Sequence, residues 1–380
     1  MKKETACIHP LIDQRSKEFG VTVPINTAVA YEYAGNEELK YPGFLSTPNQ
    51  KRLGMIVARL EGAQYGIAFS SGMSAITCSI LAMIKAGDHV IFAKEIYGGT
   101  MKFAEEELIQ RGAACSFAKT NLKNLELCQQ KNTRAVFIES PSNPLLNISD
   151  LKAISAWAKA QGIVTIIDNT FATPVNQQPL DMGIDIVVHS GTKYLGGHND
   201  LMFGAIATNN EAYYQDILAM AKIYGGALDA ASCYMAERSI KTLGLRVKQQ
   251  NDSANRIAHF LEEHPKVKQV YYPGLISHPK HATAARQMLG FGGIVSFEIE
   301  QSAGTSDHFL PRLKVIQHAL SLGGVESLIS VPVLTSHAGL KPAQRQELGI
   351  NDSLLRLSVG IENTEDLIED LNTALEELSS

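Results

Sequence analysis

Four short polar clusters in the sequence each follow directly on an apolar run: Ser70-Ser71-Gly72 after 66–69, Glu139-Ser140-Pro141 after 135–138, Asp168-Asn169-Thr170 after 163–167, and His189-Ser190-Gly191-Thr192-Lys193 after 184–188. The last sets an amine between hydroxyls in a region poor in charge. A lysine kept there is costly unless paired, neutral or covalently used. An amine of lowered pKa is what Schiff-base formation with a carbonyl group requires. Taken alone, a Thr-Lys pair more often reaches solvent. The segment from Ser70 to Ala75 lies between an expected strand and an expected helix, where free backbone N–H groups can cradle a phosphate. A small-residue turn capping a helix is the plainer reading, and the spacing is not that of a Walker loop. Asp168, at the end of an apolar run, can pair with a protonated ring nitrogen such as that of pyridoxal and so equip the ring to accept electrons. By itself it reads more readily as a strand-end turn cap.

The elements that must hold these clusters are legible in outline. Short apolar runs at 66–69, 90–93, 135–138, 163–167 and 184–188 read as buried strands of a mostly parallel sheet. Helices are expected over 75–85 and over 150–160, the second capped by Ser149 with Leu151, Ile154, Trp157 and Ala158 on one face. Such alternation argues for an α/β layered domain, whose ligands sit at the carboxyl ends of the strands. The four clusters are therefore expected to converge. Beyond Gly244 a long helical stretch precedes a strand at 293–299 and a closing helix capped by Thr364, with Leu367, Leu371, Ala374, Leu375 and Leu378 facing inward. The expected division is 1–46 as an N-terminal arm, 47–243 as the larger domain and 244–380 as the smaller one.

Composition narrows the function. A net charge of −5 gives no general attraction to nucleic acid or to anionic membranes, so small-molecule partners fit better. Five scattered cysteines without a C-x-x-C spacing indicate neither a disulfide framework nor a zinc site, and no metal is expected. No stretch is apolar enough to span a bilayer, and the expected address is the cytoplasm.

Taken together the clusters resemble the Cys/Met-metabolism family of pyridoxal phosphate enzymes, which includes cystathionine γ-lyases, cystathionine γ-synthases and methionine γ-lyases. The resemblance rests on Leu60-Glu61-Gly62, Ser71-Gly72-Met73, Tyr97-Gly98-Gly99-Thr100, Glu139 to Pro144, Asp168 to Pro174, His189 to Tyr194, Ser321 to Leu328 and Arg356 to Glu362, in that order. It implies a fold type I, aspartate aminotransferase-like α/β architecture, with a large mixed, mostly parallel sheet and a smaller C-terminal α+β domain. It also implies the cofactor pyridoxal 5'-phosphate, linked to Lys193. Asp168 should then face the ring nitrogen, Tyr97 should stack on the ring as a catalytic residue beside Lys193, and Gly72, Met73, Ser190 and Thr192 should hold the phosphate. Arg356 should grip the substrate carboxylate, with Ser321, Asn143 and Leu320 completing the substrate site. Tyr41 is expected in the phosphate site of a neighbouring subunit, which implies at least a dimer and, as in relatives, a homotetramer built as a dimer of dimers.

The chain departs from the pattern in informative places. Relatives carry an arginine two residues after the tyrosine matching Tyr41, where this chain has Gly43; Lys51 or Arg52 is the expected substitute. Cystathionine-handling members commonly place a glutamate where Leu320 stands, and methionine γ-lyases a cysteine where Gly99 stands. The expected reaction is α,γ-elimination on cystathionine or a related sulfur amino acid, within trans-sulfuration. The alternatives are γ-replacement on an O-acylhomoserine, a methionine γ-lyase activity and, remotely, a catalytically silent protein that binds pyridoxal phosphate.

Overall fold

The computed structural model describes residues 1–11, 20–35, 38–300 and 306–378. Two sheets organise the chain. The larger is built from β1 (Tyr65–Phe69), β2 (His89–Ala93), β3 (Ala114–Ala118), β4 (Thr133–Glu139), β5 (Val164–Asp168), β6 (Ile186–Ser190) and β7 (Gly204–Thr208), in the order β1-β7-β6-β5-β4-β2-β3. Only β7 runs antiparallel to its neighbours β1 and β6, so β1, β2, β4, β5 and β6 bring their carboxyl ends to one edge. The smaller sheet is built from β8 (Val267–Tyr271), β9 (Ile294–Ile299), β10 (Gln317–His318), β11 (Leu328–Ser330) and β12 (Leu354–Ser358), in the order β10-β11-β12-β9-β8 and antiparallel except between β10 and β11.

The five expected strands of the larger sheet are all present. Both β3 and β7 went unanticipated, the first an edge strand of partly exposed small residues and the second Gly-Ala-Ile-Ala-Thr. Helix starts also differ from expectation, for identifiable reasons. Ser71 accepts from the Ser74 N–H, so the first helix begins at Gly72, three residues early, and ends at Met83. In the helix Leu151–Gln161 the cap is Asp150, whose carboxylate accepts from Ala153 N at 3.1 Å, while the Ser149 hydroxyl is buried without a partner among the described residues. In the closing helix Thr364–Glu376, Asn363 caps Glu365 N, and the Thr364 hydroxyl instead meets Ser253 Oγ at 2.8 Å. The expected inward faces of both helices are buried.

The sheets share packing. Leu53, Ile56 and Leu60 of the helix Pro48–Glu61 and Leu243 and Val247 of the helix Leu243–Glu263 belong to one apolar cluster with Phe297, Leu355 and Leu371 beside the smaller sheet. The beginning of the expected arm joins this core: in the helix Lys3–Ile8, Cys7 is buried, and Lys3 Nζ donates to Leu60 O and Gln178 Oε1, both at 2.6 Å. That amine satisfies a carbonyl left open at a helix end. No described helix is long and apolar enough to cross a membrane.

The helix Pro48–Glu61 lies so close to β1 that the contact is backbone on backbone. A Cβ on Gly66 would stand 2.3 Å from Gly54 O, and one on Gly54 would stand 2.5 Å from Gly66 O. Neither atom can swing aside. Gly66→Ala should therefore destabilise the protein by roughly 1–3 kcal/mol, whereas Gly339→Ala, where a Cβ meets open space, should be close to neutral. Urea denaturation of the two variants checks this.

Candidate active site

A cavity of about 430 Å³ opens at the carboxyl edge of the larger sheet and is closed on its far side by the smaller one. Gly72, Met73, Tyr97, Asn143, Asp168, Ser190, Thr192, Lys193, Leu320, Ser321 and Arg356 all line it. Of the expected site residues only Tyr41 is elsewhere; it is about half exposed and packs edge-on against Phe44 at 5.3 Å. The sequence did not single out Thr335 and Ser336, which also line the cavity. They follow β11 through the turn Pro332–Leu334, and a proline-bearing turn after a short apolar strand was the available signal.

The start of the helix Gly72–Met83 is suited to holding a phosphate. Its first N–H groups have no carbonyl in the preceding turn and open toward the cavity. The close approach of β6 makes a glycine necessary, since a Cβ on Gly72 would lie 2.9 Å from Ser190 Cβ. Thr192 is fixed by reciprocal bonds with the backbone of Phe203, its hydroxyl accepting from Phe203 N and donating to Phe203 O, both at 3.2 Å. Tyr97 enters the cavity from the segment after β2, half exposed. A Cβ on Gly99 would stand 2.6 Å from its ring, so the ring's position depends on a bare backbone beneath it.

The charges are unusual. Lys193 Nζ donates to Ser321 Oγ at 2.7 Å and forms no ion pair among the described residues. Burial, helped by the charge of Arg356, lowers its pKa to about 8. Ser321 holds this hydroxyl in a left-handed backbone (φ 88°), a conformation costing a non-glycine residue about 1–3 kcal/mol and characteristic of functional sites. Its carbonyl accepts from Arg356 Nη2 at 3.1 Å, and Asn143 Oδ1 accepts from Arg356 Nη1 at 3.0 Å. Arg356 Nε is buried with no partner among the described residues. Opposite the cations, Asp168 is buried; it accepts from Thr170 N at 3.0 Å, and burial outweighs that bond to push its pKa upward.

These features fit pyridoxal phosphate as the occupant. They supply a near-neutral amine for the aldehyde, a helix start for the phosphate, an uncompensated carboxylate for the ring nitrogen and an arginine with spare donors for a carboxylate. The comparison with known families agrees: residues 4–376 match the Cys/Met metabolism PLP-dependent enzymes.

The chain belongs to this family. It is therefore a pyridoxal phosphate enzyme of cysteine and methionine metabolism. It is 43% identical over the full length of both chains to the cystathionine gamma-lyase of Bacillus subtilis. It is also 42% identical, over 98% of each chain, to the cystathionine beta-lyase of Lactococcus lactis subsp. cremoris. Among solved structures, cystathionine gamma-lyase from Lactobacillus plantarum complexed with L-serine superposes with a TM-score of 0.95 at 36% identity, covering 100% of this chain and 99% of that one. The family's shared fold accounts for the two sheets and the cavity between them.

The two cations offered to replace the missing family arginine are both engaged within the chain. Lys51 pairs with Glu38, and Arg52 makes a two-pronged contact with Glu237 at 2.8 and 2.9 Å.

The lowered pKa of Lys193 has a kinetic consequence for the apoprotein. Only the neutral amine attacks an aldehyde. A pKa of about 8 leaves roughly a tenth of the amine neutral at pH 7, about 300-fold more than an unshifted lysine offers. Reconstitution of apoprotein with pyridoxal phosphate, followed by visible absorbance, should accelerate with rising pH, with a midpoint at about 8, and level off about one unit higher. A midpoint near 10 would show that the amine is not shifted.

Proposed function

We propose that this enzyme is a carbon–sulfur lyase catalysing α,γ-elimination on cystathionine or a closely related sulfur amino acid, with Lys193 as the residue that both anchors the cofactor and moves protons. The observation that carries the reading is the Lys193 amine itself, partly buried, partly neutral, held by Ser321 and flanked by Arg356 in one cavity with Asp168. Bound there, pyridoxal phosphate supplies a ring that accepts the electrons left at a substrate's α-carbon.

The chain's own residues do the rest. Gly72, Met73, Ser190 and Thr192 hold the phosphate, and Asp168 keeps the ring nitrogen protonated. Arg356 binds the substrate carboxylate through its fork of donors, steadied by Asn143 and Ser321. That fixes the α-carbon relative to Lys193, which takes the α-proton as general base. Loss of a second proton from the β-carbon then expels the γ-thiol. Cystathionine and water become cysteine, 2-oxobutanoate and ammonia.

Met202 and Leu320 at the mouth of the cavity and the buried Leu322 give it an apolar lining that suits a thioether. Leu320, two-thirds exposed, offers no charge to a distal ammonium, so the substrate is gripped at its α-amino acid end. Tyr41 completes the phosphate site of a neighbouring subunit, making the working unit at least a dimer and, by family resemblance, a dimer of dimers. Five free thiols suit the reducing conditions of the cytoplasm.

One relative gives specific support to a second reading: the Lactococcus protein, of nearly equal identity, is named a beta-lyase. β-Elimination on the same substrate yields homocysteine and pyruvate in place of cysteine and 2-oxobutanoate. The purified holoenzyme given cystathionine should release ammonia with mainly 2-oxobutanoate. Mainly pyruvate would assign the β-reaction, and cystathionine formed from O-acylhomoserine and cysteine without ammonia would assign the synthase. Replacing Arg356 by Lys removes its planar fork and should lower kcat/KM roughly 10- to 150-fold, the equivalent of about 1.5–3 kcal/mol for a charged hydrogen bond. Steady-state kinetics with cystathionine measure the loss.

A further inference from the structure

We infer that Glu139 is a positioning residue for this reaction: a neutral carboxylic acid that braces the segments bearing Tyr97 and Asn143 and leaves Asp168 as the only anion opposite the cofactor ring. The inference rests on the reading above that the cavity binds pyridoxal phosphate. It assigns a part to a residue that reading leaves idle.

Glu139 ends β4 and Asp168 ends β5, and the two are paired in the parallel register. Paired residues on neighbouring strands project from the same face, and both carboxyls line the cavity while being at most 7% exposed. Two buried like charges in adjacent positions cannot both persist without cations. The cofactor ring brings a single protonated nitrogen, enough for one carboxylate.

No cation forms an ion pair with Glu139 among the described residues; Arg356 stands near enough for the two charges to interact, but only at longer range. Glu95, in the segment after β2, is a further carboxylate, already accepting from Ser142 Oγ and Asn147 Nδ2 at 2.6 Å each. Arg356 on β12 spends its terminal nitrogens on Asn143 and Ser321, and Lys193, after β6, spends its amine on Ser321. Glu139 has no ion pair among the described residues. Burial first, then the charge of Asp168, push its pKa well above the carboxylate range, against the backbone amides of Tyr97 and Asn143.

Those amides show what the group does. Tyr97 N–H donates to Glu139 Oε2 at 3.0 Å, and the Asn143 amide also favours this carboxyl. One side chain therefore holds the segment carrying the ring-stacking tyrosine by a hydrogen bond and lies against the amide of the asparagine that orients Arg356. A neutral acid can do so without competing with Asp168 for the ring proton.

Glu139→Gln keeps a carbonyl acceptor and the neutral charge. The holoenzyme of this variant should keep kcat within about twofold of the parent, and its visible absorbance should titrate at an unchanged pH. Glu139→Ala should lower kcat roughly tenfold or more through displacement of Tyr97 and Asn143, and should weaken pyridoxal phosphate binding by the apoprotein. At neutral pH, the infrared difference between the parent apoprotein and Glu139→Gln should contain the carbonyl stretch of a protonated carboxyl. An absent band, a Gln variant whose absorbance midpoint moves by about one pH unit, or an Ala variant as active as the parent would each overturn the inference. The infrared result needs no cofactor and Glu139→Gln preserves shape, so a poorly folding Ala variant leaves the test intact. A parent protein that binds no pyridoxal phosphate would instead sink the functional reading.

Discussion

The organising constraint of this protein is a charge imbalance held inside it. Lys193, Arg356 and Asp168 line the cavity, and none of them has an ion-pair partner among the described residues. Buried charges that lack partners are costly, and a protein left to optimise stability alone would pair them. Here each is held by neutral groups: Ser321 for the amine, Asn143 and the Ser321 carbonyl for the guanidinium, and the Thr170 amide for the carboxylate. Pairing is thereby left to the ligands. In the function proposed above, an aldehyde would consume the amine, a ring nitrogen would meet the carboxylate and a substrate carboxylate would meet the arginine.

That arrangement requires backbone precision, which the sheet provides. Parallel strands buried on both faces end together, so residues distant in sequence arrive at one edge in fixed register. Glu139, Asp168 and Ser190 are each the last residue of their strand. The close approach of Gly72 to Ser190 brings the helix start to the same edge.

Much of this could be read beforehand because buried parallel strands are continuous apolar runs, and a polar residue closing such a run marks the ligand edge. The strands most easily missed break that rule. β3 is an edge strand whose Ala-Cys-Ser-Phe-Ala is partly exposed, and β7 is so rich in small residues that its apolar signal is weak. Helix caps were misassigned for a local reason. Ser149 and Asp150 are both good caps by type, as are Asn363 and Thr364, and only tertiary packing, such as the bond between Thr364 and Ser253, decides which side chain is free to turn back. Of the cavity residues from the smaller domain, Leu320, Ser321 and Arg356 were legible through the family resemblance, not through periodicity, whereas Thr335 and Ser336 were not legible at all, because they lie in an irregular segment. The burial of Glu139 beside Asp168 depends on strand register, which no local pattern reveals.

The substrate end of the site depends on how the two sheets are held together. Lys193 and Asp168 come from the larger sheet's edge, whereas Arg356 lies on β12 and Ser321 on the segment leading to β11. Ser321 joins the two sets, its hydroxyl on Lys193 and its carbonyl on Arg356, and its left-handed backbone is what presents both oxygens at once. A residue in that conformation persists only where its surroundings over-determine it. The apolar cluster uniting the helices Pro48–Glu61 and Leu243–Glu263 with the smaller sheet supplies that rigidity. A shift of the smaller sheet by even an ångström would move Arg356 relative to Lys193, and misplacement of that size between groups acting on one substrate is enough to cost a large part of the rate. The shared core is thus as much a part of the active site as the residues that line it.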